Sequence, residues 1–161
     1  MLDLKALLAK ILDALKVDYI VEEGTSTSDS YGAWMYRKWN SGVAECWRPI
    51  DINTFAPATA VGGFYGRVIS GYLFPTGLFV TTPQAFVNVF YWGTGYFWGQ
   101  ARNVGSSTYN LAVWRNDNNS SPLSGSIYAI GYWKTFMGGV INTLKQFLIN
   151  IFTLERGWVY C

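Results

Sequence analysis

Residues 31–47, Tyr-Gly-Ala-Trp-Met-Tyr-Arg-Lys-Trp-Asn-Ser-Gly-Val-Ala-Glu-Cys-Trp, constrain the fold more than any other stretch of the chain. Two aromatic-rich runs flank Asn40-Ser41-Gly42, a turn-prone break of the kind that closes a β-hairpin. Alternate side chains of a strand share a face. Trp34 and Tyr36 therefore point one way, and Glu45 and Trp47 share a face of the following strand. A strand that carries this much aromatic surface packs on more than one side. The expectation is an all-β module built for association rather than for chemistry in a deep active site.

Short strands punctuated by glycine continue to about residue 134. The pattern predicts strands at 32–39, 43–51, 63–74, 85–92, 96–104, 108–115 and 125–134. The breaks between them include Pro75-Thr76-Gly77, Gly93-Thr94-Gly95 and Gly105-Ser106-Ser107, with a longer loop at 116–125. Seven or eight strands at this spacing, with no helical pattern between them, predict a mainly β fold, an antiparallel jelly-roll sandwich.

The flanks differ in character. Leu4, Leu8, Ile11 and Leu15 follow 4-3-4 spacing, the seam of a coiled coil, and Leu7 and Leu12 widen it toward three or four strands. Two heptads are marginal alone in water. The helix is therefore stabilised either by partner helices or by lying on its own β-domain, and both readings stand. Residues 17–21 can continue as a short strand, and 22–30, without an apolar side chain, read as a polar linker. Beyond Lys134, Val140, Leu144, Phe147 or Leu148, and Ile151 recur at helical spacing. Asn142, Gln146 and Asn150 add a polar stripe, which suits an interface better than lipid, although membrane insertion stays an alternative. The resulting division is a helical stem or anchor at 1–21, a linker at 22–30, a β head at 31–134 and a C-terminal extension, expected to be helical, at 135–161.

Composition narrows the function. Half of the residues are hydrophobic and 18% aromatic, while 14% are charged, against about 25% in an average soluble domain. So few charges imply unusual burial or surface hidden in an oligomer; the oligomer is favoured. A net charge of +2 without a Lys/Arg cluster does not suit a phosphate backbone, so no nucleic-acid partner is expected. The chain has no histidine, which removes imidazole bases, His-based triads and His-ligated zinc. Between Asp51 and Glu155 the only carboxylate is Asp117, so a glycosidase pair within one head could come only from the first hairpin, for example Glu45 with Asp51, and in a trimer a neighbour could supply Asp117. No catalytic residue, metal or cofactor is expected. Cys46 and Cys161 read as free thiols, and the charged N-terminus does not read as a signal peptide.

The hairpin Trp34-Met-Tyr-Arg-Lys-Trp-Asn-Ser-Gly-Val-Ala-Glu-Cys-Trp47 resembles a segment that opens the C-terminal head domains of tail-fibre and receptor-binding proteins of tailed bacteriophages. Gly125-Ser-Ile-Tyr-Ala-Ile-Gly-Tyr-Trp-Lys134 looks like the last strand of such heads. The likeness covers residues 31–134. It implies a trimeric, tumour-necrosis-factor-like jelly roll with a helical or fibrous stem on its N-terminal side, carried on a virion. Such heads commonly end a long shaft, and here only two heptads precede the head. The chain is then a small separate fibre docking on a virion protein through residues 1–21, or one part of a longer protein.

Two functions follow. The first is a homotrimeric fibre head that binds a host-surface receptor, a glycan or a protein, during adsorption. Sugars stack their apolar faces on Trp or Tyr and match their hydroxyls to amides and hydroxyls. The candidates are Tyr91, Trp92, Tyr96 and Trp98 around Gly93-Thr94-Gly95, and Trp114 with Asn116, Asp117, Asn118 and Asn119. Each aromatic has a structural alternative in the core or at the three-fold axis. Arg37 and Lys38 are expected to pair with Glu45 across the hairpin. The second function is a structural or decorating virion fibre without obligatory receptor binding. A free-standing lectin fits the aromatic content but not the helix-linker-head layout.

Overall fold

A computed structural model of the chain describes residues 4–15, 17–90 and 96–135. Helix α1 spans Leu4–Ala14, followed by strands β1 Ile20–Ser26, β2 Trp34–Trp39, β3 Val43–Phe55, β4 Thr59–Val61, β5 Phe64–Leu73, β6 Gln84–Phe90, β7 Phe97–Arg102, β8 Thr108–Arg115 and β9 Ser121–Tyr132. The fold is mainly β, as expected, and every described strand pairing is antiparallel. One sheet runs β1-β2-β3-β9-β6 and the other β4-β5-β8-β7. The chain crosses between them after β3, β5, β6 and β8, the alternation that makes a jelly-roll-like sandwich.

Alternation on the inner faces builds the core. Ala44, Cys46 and Ile50 of β3, Leu123, Ile127 and Ala129 of β9, and Tyr109, Leu111 and Val113 of β8 are all buried, with Trp34 sealed beneath β2. Trp34 meets Phe74 and Tyr109 edge-on or tilted, and its Nε1 donates to the Leu73 carbonyl at 2.9 Å. The indole thus contributes apolar area while its one polar atom stays satisfied. At one side the sheets close tightly. A Cβ on Gly99 of β7 would lie 2.8 Å from Val89 of β6, so only glycine lets those edges approach so closely. Cys46 is a free thiol inside the core, and burial pushes its pKa far up.

Two strands depart from the expectation, β1 by running on past the short strand expected at 17–21 and β4 by being unanticipated. Residues 22–26, expected as linker, are most of β1, which pairs with β2 from Ile20↔Trp39 to Ser26↔Trp34. Glu22 and Glu23 occupy it because it is an edge strand, where charge is tolerated and discourages further pairing. β4 arises because Gly62 and Gly63, at φ of +56° and +90°, close a two-residue hairpin onto β5. Lys38, expected opposite Glu45, pairs instead with Glu22 at 2.9 Å. It lies on the opposite face from Arg37, which lies near both Glu23 (3.5 Å) and Glu45 (3.9 Å).

The β2–β3 turn is contacted by the segment before β1 and by the residues that follow β9. Asn40 Oδ1 accepts from the Tyr19 amide and its Nδ2 donates to Asp13 of α1, while Ser41 donates to Asp18. On the other side Trp133 Nε1 donates to the Trp39 carbonyl and Lys134 Nζ to the Asn40 carbonyl. Helix α1 is therefore tethered at the same end of the sandwich at which β9 ends. No residue of α1 is buried. Leu4, Leu8, Ile11 and Leu15, the predicted seam, are 73, 53, 47 and 66% exposed. Apart from Thr135, the C-terminal extension of the sequence reading lies outside the described residues.

Candidate functional site

Strand β7 is an edge of the second sheet, and its outward residues are Trp98, Gln100 and Arg102. Trp98 sits directly opposite Trp114 of β8, which in turn faces Gly66 of β5. The indoles of Trp98 and Trp114 stack at 6.4 Å with 16° between their planes, and Phe64 meets Trp98 edge-on at 4.8 Å. Gly66 makes this possible. A Cβ there would lie 2.2 Å from Cε3 of Trp114, so the ring lies flat over bare backbone. Phe64, Val68 and Trp98 keep 40–45% of their surface exposed. The result is an outward aromatic pad three strands wide, bordered along β7 by the amide of Gln100.

Around this pad the predicted residues separate by role. Tyr96 is the most exposed aromatic of the described chain. Its amide donates to Asn116 Oδ1 at 3.0 Å, and its carbonyl accepts from the Asn116 amide, which ties the two strand ends together beside Trp114. Asp117 and Asn119 serve Arg115 instead. This buried guanidinium pairs with the Asp117 carboxylate and donates to the Asn119 carbonyl and to Ser121 Oγ. Asn118 is exposed on the same loop. Tyr91 and Trp92 lie outside the described residues. Tyr96, Trp98, Trp114 and Asn116 are therefore brought together, whereas Asp117 and Asn119 brace the loop. Phe64, Val68 and Gln100 were missed; the outward alternation Trp98-Gly99-Gln100 was the available signal.

The outer face of the first sheet carries a second apolar row. Met35, Trp47, Tyr128 and Phe86 lie in register across β2, β3, β9 and β6. Arg37 covers Trp47 at 5.1 Å, and Tyr128 donates to Glu45 Oε2 at 2.6 Å. Burial and that carboxylate push the tyrosine pKa up to about 12. Met35 and Phe86 remain 41 and 59% exposed. Glu45 and Asp51, the carboxylates a glycosidase would need, lie six residues apart on β3. At about 3.3 Å per residue that is roughly 20 Å, well beyond the ~5–9.5 Å such a pair spans.

Inside the sandwich, Arg48 and Asp29 form a buried ion pair with two hydrogen bonds, at 2.5 and 2.9 Å. Arg48 also donates to Tyr109 Oη at 3.1 Å and lies over Trp34 at 4.4 Å. The same carboxylate accepts from the amides of Tyr31 and Leu73. Desolvation raises the Asp29 pKa, but the Arg48 hydrogen bonds and the two amides outweigh it and hold the group below the usual carboxylate range.

No protein-family model matches the chain, and no curated protein does. Among solved structures, an N-truncated R1-type pyocin tail fiber is similar over 77% of this chain and 95% of its own, at 15% identity and a TM-score of 0.46. A longer C-terminal piece of the P. aeruginosa R1 pyocin fiber is similar over 77% of this chain and 31% of that one, at 14% identity and a TM-score of 0.44.

Proposed function

We propose that this chain is the head of a homotrimeric, non-enzymatic phage-type fibre carried on a virion, and that it binds a host-surface glycan through the pad of Phe64, Trp98 and Trp114. The observation that carries the reading is the pad itself: two parallel indoles and a phenyl ring held on an outward face, where a core has no use for them. Exposed apolar surface of this kind marks an interaction site. Flat aromatic faces take the C–H faces of pyranose rings, and the neighbouring amides of Gln100 and Asn116 suit hydroxyls. Assembly then belongs to the seam of α1 and to the Met35–Trp47–Tyr128–Phe86 row, which lies on the opposite sheet and leaves the pad free in each copy. Weak single sites gain strength when three are presented together.

The test is retention of fluorescent protein on bacterial cells and on their purified surface polysaccharides. Trp98→Ala is expected to weaken binding by about fivefold to a hundredfold, since one aromatic stacking contact is worth ~1–3 kcal/mol where it has been measured on nucleobases. Retention unaffected by Trp98→Ala, or no retention on any envelope polysaccharide, would remove the glycan reading. The second reading, a decorating fibre without a receptor, is favoured by one observation: α1 presents its whole apolar seam outward, as an element built to dock on a larger assembly.

A further inference from the structure

A cleft opens between the two sheets on the side away from β6 and β7. β2 pairs with β3 only as far as Trp47, and β4 pairs with β5 only as far as Gly66. Past those points β3 and β5 each have a strand partner on one side alone. Between them lies a cavity of about 330 Å³, within the ~300–1,000 Å³ range of small-molecule sites. Ile52 and Phe55 of β3 line it together with Ile69 and Tyr72 of β5. Tyr31 also lines it, half-exposed and tilted by 31° against Tyr72 at 4.3 Å.

One charged side chain belongs to this cavity. Alternate side chains of a strand share a face, and Arg67 lies on the inward face of β5 with Ile69, opposite the buried Val113. It is nonetheless exposed, because no strand of the first sheet covers it there. Its guanidinium makes no ion pair or hydrogen bond with another described residue. Asp51 turns away: it alternates with the inward Ile50 and Ile52, and its carboxylate accepts from Ser124 Oγ on the outer face of the first sheet. Arg48, which lies against the Tyr72 ring at 5.5 Å, is already neutralised by Asp29. The hydroxyls of Tyr31 and Tyr72 have no hydrogen-bond partner among the described residues. Burial pushes the Tyr72 pKa up to about 12, so that hydroxyl keeps its proton at neutral pH and can donate. The cavity thus combines apolar walls with unused donors, and no carboxylate of the described residues competes for them.

We infer that this cleft is a second ligand site and that it takes a carboxylate carried on a six-membered ring. The planar guanidinium fork matches a carboxylate, and one positive charge neutralises one negative charge. A neutral ligand that displaces water from the cleft leaves the cation without a counter-charge, which is costly. Inorganic phosphate is polar on every side and gives Ile52, Phe55 and Ile69 no apolar surface to cover them. A ring supplies that surface. It can be a uronic acid unit of a polysaccharide or a free aromatic acid; the chemistry at Arg67 is the same. The site is distinct from the pad and independent of it, because Arg67 and Ile69 project from the face of β5 opposite to that of Gly66 and Val68.

Saturation-transfer NMR of the full chain tests this, in the Trp98→Ala background so that failure of the pad and failure of the cleft are read separately. The probes are millimolar methyl glucuronoside, methyl galacturonoside and benzoate, with methyl glucoside and inorganic phosphate as controls. Transfer to at least one carboxylate is expected, with little to methyl glucoside and no displacement by phosphate at equal concentration. Transfer to the uronosides alone points to a polysaccharide as the source, and transfer to benzoate alone to a free aromatic acid. Arg67→Ala is expected to weaken binding at least about tenfold. Arg67→Lys keeps the charge without the planar fork and is also expected to weaken it, while an unaltered thermal midpoint in both variants reports an intact fold. Transfer to no carboxylate, transfer as strong to methyl glucoside, transfer that survives Arg67→Ala, or displacement by phosphate would each overturn the inference.

Discussion

Asp29 and Arg48 are almost sealed from water, at 5 and 1% side-chain exposure, and removing either charge strands the other. Asp29→Asn is therefore expected to cost about 3–5 kcal/mol, read as a lower urea midpoint at neutral pH. The pH dependence has a definite sign. Because the folded pKa of Asp29 lies below its unfolded value of about 3.9, its contribution is complete above that value and is lost as pH falls through the folded pKa. The Asn variant should lack this part of the acid limb; an unchanged acid limb would show that the pair does not couple to folding. Nothing local in the sequence marked this carboxylate. Asp29 sits in a run of Thr and Ser that reads as linker, and its partner lies on another strand. Trp98 and Trp114, in contrast, were legible as candidates because both flank turn-rich segments. Their stacking was not, since it depends on the register of β7 with β8 and on Gly66 two strands away.

At the level of elements, legibility followed alternation. β8 was predicted with the bounds it has, because Tyr109, Leu111 and Val113 alternate with Asn110 and Trp114 and a glycine precedes the strand. Beyond the short strand expected at 17–21, residues 22–26 of β1 escaped because an edge strand exposed on both faces has no such pattern, and its cross-strand ion pairs are what mark it. β4 escaped because three residues carry no period, although Gly62-Gly63 between Val61 and Phe64 was a hairpin signal. Helix α1 was legible as a helix, and its exposure bears on what stabilises it. Eleven residues that bury no side chain among the described residues do not hold a helix in water for long, and we expect a partner surface to cover the seam. Replacing Leu8 and Ile11 with Gln is expected to convert the proposed trimer to monomers in sedimentation velocity. The head of the monomer should keep its stability within about 0.5 kcal/mol, as surface substitutions do. A wild-type chain that already sediments as a monomer, or a head that melts early in the variant, would place the apolar seam against its own domain instead.

Among the described residues the sandwich carries exposed apolar surface on two opposite faces, besides the seam of α1, and a single function does not account for both faces. If the Phe86 row joins copies and the pad binds ligand, the two faces respond differently to substitution. Phe86→Glu puts a carboxylate at the β6 end of the proposed contact between copies, where an unpaired charge costs more than at a free surface. The expected product is a folded head with impaired assembly, because Phe86 is 59% exposed in one chain and its loss opens no cavity there. Per-site affinity for an isolated glycan, measured by NMR titration, should then stay as it was, since the pad lies on the other sheet. Retention on cells should nonetheless fall by about 10² or more, because tethered sites raise avidity by roughly that factor without any new contact. Trp98→Ala gives the opposite signature: assembly intact in sedimentation, with per-site affinity and retention falling together. Retention that tracks per-site affinity in both variants would mean that each head acts alone, and the apolar row on the first sheet would then need a partner other than a second copy of this chain.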